Sequence, residues 1–201
     1  MLVGLATAPD SAWDRGEFEN FATIPSFTPS GPGAACPDGA TSCTSDIEGV
    51  TVGSGWHGVH PLLRLQQRRR AKRLRRALFV FAPDGQLVEH FPVRGSNPHL
   101  IGLVYQQSSK SVLIGDLDSG KVWKVDPKSQ KTTLFMTAPN EASARLNALT
   151  IDSNDNVYVS DSFQGVIWKT GPNGGAPTAW YAPSNPGQND LLLPTPTTTS
   201  H

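Results

Sequence analysis

The sequence is poor in charged residues and has no long apolar run. Charged side chains make up 17% of the 201 residues, below the roughly 25% of a typical soluble protein. No window approaches the ~20 apolar residues that a membrane-spanning helix needs, so we expect no membrane span. Glycine and proline are abundant instead, at 19 and 17 residues, and both disfavour helix interiors. The composition excludes a helical bundle and suits one domain of ordinary size.

The charges balance overall, but the basic ones are clustered. The chain carries 17 basic and 17 acidic residues, so its net charge does not indicate nucleic acid or an anionic membrane as a partner. Eight basic residues fall in one short block: Arg64, Arg68, Arg69, Arg70, Lys72, Arg73, Arg75 and Arg76. A basic helix that binds nucleic acid is one interpretation of Arg64–Arg76, but no aromatic or base-reading motif accompanies it. We therefore expect no nucleic-acid partner, unless through this block.

Cysteine is scarce, and its two copies lie close together. Cys36 and Cys43 bracket a small loop, which leaves a short disulfide and two free thiols both open. Leu2–Ala8 is a short apolar run before Pro9, similar to the end of a secretory signal but without a charged start. The localisation stays open, with a secreted or periplasmic protein favoured. Residues 1–45 are interpreted as an irregular N-terminal segment that holds a signal remnant and the cysteine loop.

The most informative feature is an internal repeat of about 45 residues. Residues 101–135 match residues 146–180 without a gap, and a partial third copy lies upstream, beginning near Phe79. Eight pairs are identical between the two full copies: Ser108/Ser153, Val112/Val157, Asp116/Asp161, Gly120/Gly165, Trp123/Trp168, Lys124/Lys169, Pro127/Pro172 and Thr133/Thr178. Self-similarity at such a period is the sequence signature of a repeat architecture.

Each copy is predicted to contain four short strands separated by turns. In the second copy the apolar runs are Leu146–Ile151, Val157–Ser160, Val166–Thr170 and Thr178–Tyr181, with Gly, Asn, Asp and Pro clusters between them. Four strands in about 45 residues are typical of a β-propeller blade. The sequence therefore predicts an all-β fold of the β-propeller type, with roughly three to four blades of four antiparallel strands.

The repeated residues have structural interpretations. We expect Trp123 and Trp168 to pack between blades, and Gly120 and Gly165 to supply a positive φ in a turn. Asp116 and Asp161 should close the second strand and accept backbone N–H bonds from the turn that follows. The acidic cluster 152–156 is not an EF-hand loop, because the glycine and the bidentate glutamate that such a loop requires are missing.

These blades resemble the SMP-30/gluconolactonase-like (LRE-like) family of six-bladed propellers and, in style, NHL-repeat proteins. The family's metal-binding Glu-Gly is matched by Glu48-Gly49, and its substrate-contacting Arg-x-Asn by Arg145-Leu146-Asn147. The alignment of first strands places Glu48, Gly102 and Asn147 in equivalent positions at the central channel. The resemblance implies a divalent metal ion, expected to be Ca²⁺, at Glu48. It also implies hydrolysis of a sugar lactone or related ester, with Arg145 and Asn147 binding the substrate.

The resemblance implies a propeller of the six-bladed type that is incomplete in this chain, and the chain departs from the family pattern in two places. Blades are predicted over 46–190, but residues 53–76 break the rhythm and are interpreted as a basic segment foreign to the fold; 191–201 form a Pro/Thr-rich tail. The family's further metal ligands would follow His201, so we expect weak metal binding. A non-catalytic, NHL-like propeller that binds a protein or ligand is the alternative function. Open blade edges would also allow self-association.

Overall fold

The computed structural model describes residues 21–23, 26, 49–53, 59–62, 77–97 and 99–183, with only the backbone considered for 59–62. These residues form strands and turns, and no helix among them is long and apolar enough to cross a membrane. The strands are β1 Gly49–Val52, β2 Val59–Leu62, β3 Ala77–Phe81, β4 Leu87–Pro92, β5 Leu100–Gln106, β6 Ser111–Asp116, β7 Lys121–Asp126, β8 Lys131–Thr137, β9 Leu146–Ile151, β10 Val157–Asp161, β11 Val166–Gly171 and β12 Gly174–Tyr181. The four strands predicted for the second copy are confirmed.

The two full repeats fold as two four-stranded antiparallel blades. Strands β5 to β8 form one meander and β9 to β12 the next, each pairing with its neighbour in sequence. A single parallel bridge between Met136 and Gly175 joins the two outermost strands. The innermost strands β1, β5 and β9 lie side by side in that order. This arrangement is the all-β, propeller-type fold that the repeat predicted.

The upstream copy is built as two hairpins. Strand β1 pairs with β2, and β3 pairs with β4, while β2 packs beside β3. Strand β2 lies within the interval 53–76 that was interpreted as foreign to the fold, so part of that interval contributes a strand to this blade. The basic block that follows, the cysteine loop and the tail from 191 lie outside the described residues.

The innermost strands of the two full blades are shifted by one residue relative to the gapless alignment. Leu100 lies opposite Asp116, and Leu146 lies opposite the equivalent Asp161. The shift arises because the chain from Leu100 to Asp116 is one residue longer than the chain from Leu146 to Asp161, and the extra residue lies in the turn between β5 and β6. The equivalence of Gly102 with Asn147 expected from the sequence is therefore wrong. The counterpart of Asn147 is Ile101.

Two apolar layers hold the blades together. One lies between the β3–β4 hairpin and the β5–β8 blade and includes Leu78, Phe91 and Ile114. The other lies between the two full blades and includes Leu113, Val159 and Trp168, which is 1% exposed. Trp123 is partly buried against the first layer. Both repeated tryptophans therefore pack between blades, as predicted.

Candidate functional site at the axial end of the blades

The candidate site lies at the end of the blades where the innermost strands β5 and β9 begin, which we call the axial end. At this end the turn after β6 meets the residue before β5, since the amide of Leu117 donates to the carbonyl of His99 at 2.8 Å. In the next blade the amide of Ser162 donates to the carbonyl of Arg145 at 2.9 Å. The two blades thus present the same pair of loops at the same place.

Asp161 is a buried carboxylate whose hydrogen bonds hold the residue before β9 in place. Its Oδ1 accepts the backbone amides of Arg145 at 3.0 Å and of Phe163 and Gln164 at 3.2 Å. Its Oδ2 accepts the Gln164 amide group at 2.8 Å and the Trp168 indole N–H at 3.3 Å. The side chain is 2% exposed. The predicted role as an acceptor for the following turn is confirmed for Asp161, and it leaves no lone pair directed at a ligand.

Asp116, the equivalent residue, makes fewer bonds. Its Oδ2 accepts the amide of Asn97 at 2.7 Å and the indole N–H of Trp123 at 3.2 Å. Its Oδ1 is buried without a hydrogen-bond partner. Asp116 therefore accepts from the loop before β5, and the expectation that it would cap the turn after β6 is wrong in that respect.

Arg145 lies immediately before β9, and its guanidinium contacts the loop that precedes this strand. Nη1 donates to the carbonyls of Ala142 at 3.2 Å and Ala144 at 2.6 Å. The guanidinium carbon lies 5.2 Å from the centre of the Phe163 ring, a cation–π distance. Phe163 itself is 74% exposed. The pair forms a flat cationic and aromatic surface at the axial end, with part of the guanidinium open to solvent.

Asn147 sits in a β-bulge at the start of β9. Between the pairs Leu149–Val159 and Leu146–Asp161, two residues of β9 face the single residue Ser160. A bulge of this kind redirects a side chain. The amide nitrogen of Asn147 donates to the Ser162 hydroxyl at 3.1 Å. The residue is exposed, and no described residue donates a hydrogen bond to its side-chain oxygen Oδ1.

The close approach of β5 to β9 at this bulge depends on a glycine. Gly102 has a φ of 63°, and a Cβ there would lie 2.2 Å from the carbonyl oxygen of Asn147. Strand β1 approaches β5 in a similar way, because a Cβ on Gly49 would meet the Leu103 side chain at 2.3 Å. The three innermost strands therefore converge at the axial end, which is what a shared site between blades requires.

The predicted metal ligand Glu48 lies outside the described residues, directly before Gly49 of β1. Within the described part of the chain, no group of three or more His, Cys, Asp or Glu side chains is arranged to hold a metal ion. Asn147 offers one neutral oxygen. Arg145 and Asn147 are thus brought to one end of one blade, within two residues of each other, and the structure leaves their partner Glu48 undescribed.

Sequence reasoning missed a second pair at the axial end, His99 and Asp118. His99 Nδ1 contacts Asp118 Oδ2, with the side chains 32% and 36% exposed. His99 precedes β5 as Arg145 precedes β9, and Asp118 is one repeat before Phe163. The signal was present in the sequence, but the gapless alignment set His99 against Ala144 and concealed it.

A cavity of about 410 Å³ lies elsewhere, on the face of the β9–β12 blade that points away from its neighbour. Its lining is mostly apolar and includes Leu149, Ile167 and Trp180. Because strand side chains alternate between faces, this face is the one that would pack against a further blade. It does not belong to the axial end.

Comparison with known proteins supports the fold. No protein-family model matches the chain, and no curated protein matches it. Among solved structures, the chain is similar to selenomethionine-substituted virginiamycin B lyase from Staphylococcus aureus, with a TM-score of 0.53 and 14% identity over 76% of this chain. The match covers 48% of the lyase, so the chain spans about half its length. At this identity the likeness defines the class of protein, a β-propeller.

Proposed function

We propose that the axial end binds a small, oxygen-rich molecule of the sugar-lactone or ester class and that the protein hydrolyses it in the manner of the SMP-30/gluconolactonase-like family. The observation that carries this proposal is the bulge at Asn147, which exposes an amide oxygen beside Arg145 at the start of an innermost strand. Arg145 would hold a carbonyl or hydroxyl oxygen of the substrate through its planar fork.

The oxygen ligands at the axial end are of the type that a hard divalent cation prefers, but there are too few of them to fill its coordination shell. Asn147 has an exposed amide oxygen, and Glu48 supplies a carboxylate directly before β1. Ca²⁺ takes six to eight oxygen ligands, so these two residues would hold it together with water and substrate oxygens. When bound, the ion would polarise the ester carbonyl and acidify an adjacent water. Affinity in the range of about 10⁻⁴ to 10⁻³ M follows from so few charged ligands.

Calcium-dependent thermal stability tests this proposal. At ten times the dissociation constant, ligand binding stabilises by about 1.4 kcal/mol, which raises the Tm of a domain of this size by roughly 3–5 °C. Glu48→Gln should abolish the rise and the hydrolysis of glucono-1,5-lactone. Glu89→Gln on the outer strand β4 is the matched control and should leave both unchanged. Hydrolysis that persists in chelator and in Glu48→Gln would contradict the metal-dependent mechanism.

The second candidate is a non-catalytic propeller that binds a partner, in the style of NHL-repeat proteins. It is favoured by the engagement of the Arg145 guanidinium with two loop carbonyls and with Phe163, which leaves an exposed aromatic surface. The apolar face around Trp180 offers a further contact surface, for a partner or for a second copy of the chain. Absence of both calcium stabilisation and lactone hydrolysis, with retention of protein binding that Phe163→Ala removes, would support this candidate.

A further inference from the structure

The His99–Asp118 pair has the geometry of an oriented histidine. The Nδ1 atom of His99 is shielded from solvent and contacts Asp118 Oδ2, although the contact does not have the geometry of a hydrogen bond. Because an ionised carboxylate only accepts, this contact is favourable when Nδ1 carries the proton. In the neutral ring Nε2 then carries a lone pair. No described residue forms a hydrogen bond with Nε2, and the His99 side chain is 32% exposed.

The position of the pair in the fold places it at the candidate site. The carbonyl of His99 is held by the turn after β6 just as the carbonyl of Arg145 is held by the turn after β10. His99 is therefore the blade-equivalent of Arg145, one innermost strand away, and β5 and β9 lie side by side. Neither side chain of the pair is used by the binding role assigned to Arg145 and Asn147.

We propose that His99 is the general base of the axial site and that Asp118 is the residue that positions it. This inference rests on the proposed hydrolase function. His99 Nε2 accepts a proton from water as the water oxygen bonds to the ester carbonyl carbon. The carbon–oxygen bond to the leaving group then breaks, and the imidazolium returns the proton to the departing alkoxide. One water is consumed, one acid and one alcohol form, and His99 ends neutral.

The orientation of His99 can be measured without any substrate. Nitrogen-15 NMR of the full chain should show neutral His99 as the Nδ1–H tautomer. Asp118→Asn should shift the population toward the Nε2–H tautomer, because the amide can donate to Nδ1. His90, which stacks on Phe79 in the outer hairpin at 5.3 Å, serves as the internal control and should not change. An Nε2–H tautomer in the wild-type chain would overturn the proposal.

Kinetics then test the proton transfer. With glucono-1,5-lactone and 4-nitrophenyl acetate as probes, His99→Ala should lower kcat by about 10²- to 10⁴-fold with little change in KM. Added imidazole should restore part of the lost rate, which a merely structural loss would not allow. Asp118→Asn should lower kcat and leave KM, whereas His90→Gln should leave both.

The outcomes separate this inference from the proposed function. If the wild-type chain hydrolyses the probes and His99→Ala retains full kcat, the general base is wrong and the hydrolase stands. A wild-type chain that binds the lactone but turns over neither probe overturns the hydrolase and the base together, whatever the tautomer. Loss of rate in His99→Ala without imidazole rescue, in a variant that keeps the wild-type Tm, also counts against His99 as the base.

Discussion

The same substitution at two equivalent positions should lower the free energy of unfolding by very different amounts. Asp116 and Asp161 close the second strand of successive blades, but their hydrogen bonds are distributed differently. Asp161 accepts three backbone amides on one oxygen and two side-chain donors on the other. Asp116 accepts two donors on a single oxygen, and its second oxygen is unpaired. Replacement by asparagine keeps the shape and converts one acceptor oxygen into a donor.

The magnitudes follow from counting the donors left without an acceptor. In Asp161→Asn, whichever way the amide turns, at least two donors face its NH₂ group. At about 1.5–3 kcal/mol for each charge-assisted bond, the loss is about 3–6 kcal/mol. In Asp116→Asn the amide oxygen can take the place of Oδ2 and keep both donors, while the NH₂ group takes the place of the unpaired Oδ1. Only the charge assistance is lost, at about 1–3 kcal/mol in total.

Urea denaturation followed by tryptophan fluorescence measures the difference directly, because Trp123 and Trp168 donate to these carboxylates. We expect the midpoint of Asp161→Asn to fall well below that of Asp116→Asn at an unchanged m-value. Asp155→Asn is the control, since Asp155 lies half-buried in a turn at a φ of 60° that asparagine tolerates. Equal destabilisation by the two test variants, or a larger loss at Asp116, would refute the donor count.

Two further predictions concern the backbone and the acidic turn. Gly102→Ala and Gly165→Ala carry the same φ penalty, at 63° and 65°, but only the first places a Cβ against backbone, at 2.2 Å. Gly165→Ala should cost about 1–2 kcal/mol and Gly102→Ala at least ~2 kcal/mol more in urea denaturation; equal costs would contradict the clash. Hydrogen bonds, first from the Asn156 side chain, lower the pKa of Asp152 from 3.8 to about 2. This carboxylate therefore stabilises the fold above pH ~4, and its contribution is lost as the pH falls through about 2. The Tm gap between the wild type and Asp152→Asn should close over that interval, and a constant gap would refute the assignment.

The fold could be predicted because its signals are local and repeated. The strands of the second copy are separated by turn residues whose conformations the structure shows, including the positive φ of Gly120 and Gly165. The alternation within β10 and β11 buries Val159 and Trp168 on one face. The second strand of the first hairpin was not predicted, because Val59–Leu62 contains a proline and precedes a basic run that masks its pattern.

The site was harder to predict because it depends on register between strands that are distant in sequence. A gapless repeat sets His99 against Ala144 and Gly102 against Asn147, and a one-residue slip moves a strand side chain to the opposite face. Only the pairings of Leu100 with Asp116 and of Leu146 with Asp161 reveal that the slip is absorbed in the turn after β5. The match of His99 with Arg145 follows instead from their carbonyls, which accept the amides of Leu117 and Ser162 in the turn after the second strand. The carboxylates of Asp116 and Asp161 do not give this match, because they accept the amides of Asn97 and Arg145. The functional residues at the end of a propeller are therefore better sought by aligning the turn after each second strand and finding the residue whose carbonyl accepts from that turn.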